Sequence, residues 1–288
     1  MSRAVVLRGG TWPGQPAVAW LAWLAPSILV LSIVLVYPLT LMGAQAFHDP
    51  SGAPGLGRFV TVLRSTVFRH ALQHTLEIAL TSTLLCLVLG FALALLLSFV
   101  PFRGSRAVGR LIDAYLAYPS FLIALSLIFL YGNAGVFSVF GRALFGAGPN
   151  ATSFLYGFWG VVLAEVTFYT PFVMRPLLAA FDAIEPAQLD MASSLGEKPL
   201  GVIRRIILPA AVPSLLAGGS LCLLLTLNEF GIILVMGAKD VITLPMLIYG
   251  KAIQQFDYPG ASVVALCNIA LSLTLYTLYR HLLTRVPS

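Results

Sequence analysis

The chain reads as an all-α, polytopic membrane protein with six transmembrane helices. Three observations predict this. It is 59% hydrophobic and only 10% charged over 288 residues, where a soluble domain carries roughly 25% charged residues. Its apolar residues fall in six runs long enough for the ~20 residues that cross a bilayer. Its charges collect between those runs.

The runs are roughly Val18–Leu41, Ala71–Val100, Leu111–Tyr131, Phe154–Arg175, Val212–Met236 and Ala261–Leu283. They are continuous, whereas the strands of an outer-membrane barrel alternate every second residue. Backbone groups in lipid must pair within a segment, so helices follow. The first run is too long for a signal-peptide core and no small-residue cleavage site clearly follows it.

Before the first run, residues 1–16 carry Gly9, Gly10, Pro13, Gly14 and Pro16 and predict a flexible tail. Residues 17–283 then form one transmembrane domain. After the first run, HDPSGAPGLGRF predicts a loop, and so does the Gly-rich stretch Gly132–Thr152. Between the last two runs, Leu244–Ile253 is apolar but too short to span. It predicts a helix that lies on the surface or dips into the mouth of the bundle. The two halves show no repeat, which argues against an inverted-repeat secondary transporter.

With the N-terminus inside, eleven of the seventeen Lys and Arg fall on the cytoplasmic side, three of them in PFRGSRAVGR. The positive-inside rule therefore predicts a multi-pass protein with both termini in the cytoplasm. This use of the basic residues leaves nucleic acid without a role; the expected contacts of the spans are membrane lipid. Cys86, Cys222 and Cys267 sit inside spans, without metal-ligand spacing, and predict buried free thiols.

Between the fourth and fifth runs lies a polar island, 182–209, reading DAIEPAQLDMASSLGEKPLGVIRRIILP. Pro186 after Glu185 predicts a helix start, since proline at the first position loses no hydrogen bond. Asp182, Glu185 and Asp190 lie near that start, where the helix dipole favours acids. Gly196 predicts a left-handed cap, and Pro199 opens a second short helix. Leu200, Ile203, Ile206 and Ile207 give that helix an apolar stripe. Pro209 and Pro213 are expected to break it before the fifth span. Ala192 and Ser193 leave a small-residue face that another protein can approach. An ordinary amphipathic connector has the same physical pattern.

The spacing of this island resembles the signature loop of binding-protein-dependent ABC importer permeases, the MetI-like family: EAA, three residues, Gly, nine residues, Ile, one residue, Leu-Pro. Asp190, Met191 and Ala192 stand at EAA, Gly196 at the glycine, and Ile206, Leu208 and Pro209 at the end. Two positions depart from it, Asp for Glu and Met for Ala. The blocks GRLIDAYLAYPSFLIALSLIFLYGNAG and AEVTFYTPFVMRPLLAA resemble 2-aminoethylphosphonate importer permeases. So does GGSLCLLLTLNEFGIILVMGAKDVITLPMLIYGKAI. Relatives for ferric iron, thiamine, polyamines or sulfate share the loop.

The resemblance implies a permease in a bacterial inner membrane. It implies an ATPase-docking coupling helix around Glu185, Asp190, Met191, Ala192, Ser193 and Gly196, with Ile206, Leu208 and Pro209 behind it. The implied partners are two ABC ATPase subunits, a second permease that is identical or homologous, and an external solute-binding protein. The chain lacks a G-x-x-x-x-G-K-[ST] loop, so ATP and Mg would sit on the partner ATPase. No catalytic residue, metal site or cofactor is expected in this chain.

Glu165, Asn228 and Glu229 fall mid-span, where charge costs about 2.5–3.5 kcal/mol or more. Either Glu165 and Glu229 face a pathway and offer charge to an ammonium group, or they are structural, protonated or paired with Asn228, Asn268, Thr167 or Arg175. Asp113 is expected near a span end, interfacial or paired with Arg110. Gly90 with Ala94, and Ser214 with Gly218 and Gly219, predict close helix packing. An ATP-independent channel or secondary transporter using the two carboxyls as an ion relay is the competing class. An intramembrane enzyme lacks the paired acids, metal set or nucleophile it would need.

Overall fold

The computed structural model describes residues 17–48, 54–145, 153–238 and 241–283. The predicted tail, 1–16, lies outside them, as do parts of all three expected external loops. Six stretches are long and apolar enough to cross a membrane: Leu24–Ala46, Thr66–Phe99, Ser120–Phe140, Phe158–Asp182, Pro199–Leu227 and Tyr258–His281. Among the described residues no strand is present.

The second, fourth and fifth spans form the core. Gly90 of the second and Gly218 of the fifth both abut Val173 of the fourth. A β-carbon on Gly90 would meet Val173 Cγ1 at 3.0 Å, and one on Gly218 would meet Val173 Cα at 3.1 Å. Small residues thus let three backbones converge, the usual device where lipid offers no hydrophobic drive between helices. Antiparallel contact of the second and fifth spans continues at Thr83 and Thr226, whose hydroxyls are 3.4 Å apart. Cys86 and Cys222 are buried in this core and Cys267 is partly buried, all as free thiols.

The third crossing is broken, and its true path differs from its most apolar window. A helix Ser105–Tyr115 is followed by turns and Pro119, then by the helix Ser120–Tyr131. Asp113 pairs with Arg175, Tyr115 Oη donates to the Thr167 carbonyl at 3.1 Å, and the Tyr131 ring meets Phe154 at 6.3 Å. Residues 113–131 therefore run antiparallel along the fourth span. At 1.5 Å per residue they cover about 28 Å, close to a ~30 Å hydrocarbon core. This agrees with the run Leu111–Tyr131. The expected irregular stretch after it is corrected in part. Val136–Phe145 is helical and folds back, with Phe137 against Tyr131 at 5.0 Å.

The fifth span departs from expectation at both ends. Pro209 and Pro213 do not break it. Helix continues from Pro199 to Leu227 through a π segment at Ile203–Ile207. The wider π turn precedes Pro209, where an ordinary turn would set its ring against the carbonyl four residues back. The break comes instead at Asn228–Phe230, before the helix Gly231–Met236. The first and fourth spans also run past their expected ends, to Ala46 and Asp182.

The short apolar helix Leu244–Tyr249 dips into the bundle mouth. Leu244 is fully buried, and its N–H donates to Thr75 Oγ1 at 2.8 Å on the second span. Beside it Asp257 accepts from Arg58 at 2.9 Å and from Lys251 at 3.1 Å. Its carboxyl also takes the Gly260 N–H at 3.0 Å. Burial alone would raise the Asp257 pKa; the Lys251 and Gly260 hydrogen bonds and the charges of Lys251 and Arg58 outweigh it and hold it below the usual carboxylate value.

Candidate functional site: a mid-membrane break and a polar loop

The two broken helices meet at one carboxyl. Glu229 lies in the fifth-span break and is 6% exposed. Its Oε1 accepts from Ser120 Oγ at 3.2 Å and from the Ile232 N–H at 2.8 Å. Its Oε2 accepts from the Tyr169 hydroxyl. One side chain therefore ties the third, fourth and fifth spans and caps the helix Gly231–Met236. Irregular backbone is tolerated at membrane depth only when enclosed by protein or lining a polar space, and Glu229 supplies the enclosure.

Asn228 belongs to a different cluster. Its Oδ1 accepts from Asn268 Nδ2 at 2.9 Å, and its Nδ2 donates to the Leu224 carbonyl at 2.8 Å and reaches Ser272 Oγ at 3.4 Å. Asn228 nonetheless remains exposed. Glu165 is fully buried, and neither carboxyl oxygen has a hydrogen-bond partner among the described residues; Ser82 is a polar neighbour without a bond of ordinary geometry.

The three mid-span residues singled out from sequence thus have three different environments. None of the pairings expected for the two carboxyls forms. Arg175 pairs with Asp113, Asn228 with Asn268, and the Thr167 hydroxyl with the Leu163 carbonyl. Asp113 takes a partner from the fourth span, Arg175. Ser120 and Tyr169 were missed. A signal for Ser120 was present, since a proline inside an apolar run marks a helix start at the next residue.

The loop folds largely as its punctuation dictates. Pro186–Ser194 is a helix with Pro186 in its first turn. Gly196 has φ +79°. Its N–H donates to the Ser193 carbonyl at 3.0 Å, and the Glu197 N–H donates to the Ala192 carbonyl at 3.1 Å. This double bond pattern is the glycine-terminated Schellman motif. Pro199 starts the next helix, which proves to be the beginning of the fifth span.

Leu189, Val202, Ile203 and Ile207 pack the loop onto the core. Ile206 is half-buried, while Leu208 and Pro209 are exposed. Leu200 leaves the expected stripe. It is 77% exposed, beside Leu195 at 82% and Met191 at 64%. Glu185, Asp190, Ser193 and Gly196 are exposed and Ala192 is half-buried. A cavity of about 480 Å³ adjoins Leu200 and is lined by Glu197, Gly201, Arg204 and Arg205.

The chain resembles transport permeases along nearly its whole length. A permease named for 2-aminoethylphosphonate transport, PhnU of Salmonella choleraesuis (strain SC-B67), is 50% identical over 260 residues, 90% of this chain and 91% of that protein. A sulfate transport permease, cysT of Nephroselmis olivacea, is 27% identical over 262 residues, covering 90% and 87%. Among solved structures, a bacterial ABC transporter that imports alginate superposes with TM-score 0.78 at 21% identity, covering 94% and 96%. The inward-facing MetNI methionine ABC transporter gives 0.58 at 17% identity, covering 76% and 95%. Residues 87–287 match the family described as binding-protein-dependent transport system inner membrane component, and the chain belongs to that family.

Proposed function

We propose that this permease carries 2-aminoethylphosphonate inward as part of an ATP-driven importer. Two ATPase subunits hydrolyse ATP with Mg, a second permease completes the pathway, and an external binding protein delivers the solute. The N- and C-termini and the loop 182–209 face the cytoplasm. One observation above all supports the docking role: the loop is tied down by Leu189, Ile203 and Ile207 yet turns Met191, Leu195 and Leu200 outward. Apolar anchors on a rigid corner are what a partner cleft can grip. The substrate reading rests on the half-identical PhnU relatives.

In this reading Asn228 lines the pathway, because an exposed amide mid-span is costly against lipid. Glu229 acts as a fastening at the edge of that pathway, with its oxygens occupied. Glu165 stands behind it as a buried polar group of the fourth span. ATP-driven approach of the ATPases moves the two loops, and the continuous helix from Pro199 to Leu227 carries that motion to the break at Asn228.

The decisive experiment is uptake of labelled 2-aminoethylphosphonate into liposomes holding the assembled complex. Uptake should require ATP and the binding protein. Uptake by this chain alone without ATP would instead establish a channel or secondary transporter. Tight binding of a polyamine or sulfate by the cognate binding protein would overturn the substrate.

A further inference from the structure

A groove of about 640 Å³ runs between the second span, the fourth span and the helix Ser105–Tyr115. That helix is amphipathic. Val108, Leu111, Ile112 and Tyr115 recur at helical spacing and line the groove, while Arg110 and Asp113 lie off that stripe. The stripe is not covered by this chain: Leu111 is 68% exposed, and Leu93 and Leu96 of the facing second span are exposed as well.

No lining residue carries charge. Its three hydroxyls are already spent on carbonyls of the fourth span: Tyr115 on Thr167, Thr167 on Leu163, and Thr170 on Val166. The groove therefore offers nothing to water or to a polar ligand. Along the fourth span it extends from Met174 to Leu163, about 16 Å at 1.5 Å per residue. That is half of a ~30 Å hydrocarbon core, the depth of one leaflet. A partner helix crosses the whole core, whereas this groove stops midway.

The mouth of the groove is basic. Residues 113–131 cover the core, so the chain before Asp113 lies at headgroup level. There Arg103 follows the lining residue Phe102, in the turn that opens the helix at Gly104. Arg103 is exposed and has no partner among the described residues. The nearby acid, Asp113, is held by Arg175.

We propose that the groove holds one acyl chain of an anionic phospholipid whose phosphate meets Arg103. The tail supplies the apolar cover that Leu93, Leu96 and Leu111 lack, and the phosphate supplies the missing anion. An amphipathic helix with a basic rim at the headgroup level suits such a lipid. Nothing in the site depends on which solute the permease carries.

The test uses the assembled complex in phosphatidylcholine nanodiscs with a trace of phosphatidylglycerol bearing a photoactivatable acyl chain. Irradiation and peptide mapping should place label on Leu111 and Met174. Unlabelled phosphatidylglycerol should displace it about fivefold better than added phosphatidylcholine, the worth of one arginine beside an anionic headgroup. Glycerol phosphate, a headgroup without a tail, should not displace it. Arg103→Gln should erase the preference and keep the label. Leu93→Trp, which fills the groove, should remove label from Leu111 while the exposed first span stays labelled. Equal displacement by the two lipids would mean bulk lipid only and overturn the site. Displacement by glycerol phosphate would overturn the acyl chain as its anchor. An unlabelled groove beside a labelled first span would mean that a partner protein covers it, which also overturns the site. None of these results touches the import reading.

Discussion

The break around Glu229 and the loop around Gly196 are built on opposite rules. At the break, three donors from three segments converge on one carboxyl and the polar groups are consumed internally. At the loop, the backbone is equally well tied, but Met191, Leu195 and Leu200 point away from the chain. A self-satisfied polar knot marks a part that the chain completes alone. A rigid surface with unburied leucines marks a part that something else completes. The two are joined by one continuous helix, so a demand at the loop is mechanically connected to the fastening at the break.

The difference can be broken by mutation. Glu229→Ala should leave Tyr169, Ser120 and the Ile232 N–H without their acceptor. At about 1–3 kcal/mol for each buried donor left unpaired, the permease should lose several degrees of thermal midpoint or fail to accumulate, with or without its partners. Glu229→Gln, which keeps an acceptor oxygen, should recover most of that loss. Equal stability of wild type and Glu229→Ala would remove the knot. The loop should respond the other way. Leu195→Ala should leave the isolated permease as stable as wild type but weaken ATPase association by about 2 kcal/mol, roughly thirtyfold in affinity. A pull-down titration reads this directly.

Much of this architecture was legible in the residues. The loop's shape followed from Pro186, Gly196 and Pro199, because proline and glycine act locally and their positions need no tertiary information. The spans followed from run length. The breaks were harder. Pro119 announced one of them, but Asn228–Phe230 contains no proline or glycine, and its helix ends because Glu229 turns to cap the next one. Pro209 and Pro213 misled, since a local π turn absorbed the first of them. The pairings of the charged residues were not legible at all. Asp113 and Arg175 are far apart in sequence, and their meeting depends on how the third crossing lies along the fourth.

A smaller effect separates packing from polarity. Gly218→Ala brings a β-carbon against the Val173 backbone, which cannot swing aside as a side chain would. About 1–3 kcal/mol should be lost, seen as a lower thermal midpoint of the permease. Gly90→Ala faces the Val173 side chain first and should cost less. If the two cost the same, the close approach is not set by the fourth-span backbone.

The smallest effect concerns a polar knot at the rim. Asp257 resembles Glu229 in gathering donors, from Arg58, Lys251 and Gly260, but it sits just outside the sixth span and is 29% exposed. Its pKa is lowered on folding because those partners outweigh the penalty of burial. A lowered native pKa stabilises the fold above the unfolded value of about 3.9, and that stabilisation is lost as pH falls through the native value. Wild type should therefore lose thermal stability between about pH 5 and pH 3, more steeply than Asp257→Asn. At pH 7 the variant should be less stable by about 1 kcal/mol, because water and salt screen a rim cluster that they cannot reach at Glu229. A variant as pH-sensitive as wild type would assign the acid response to another carboxylate.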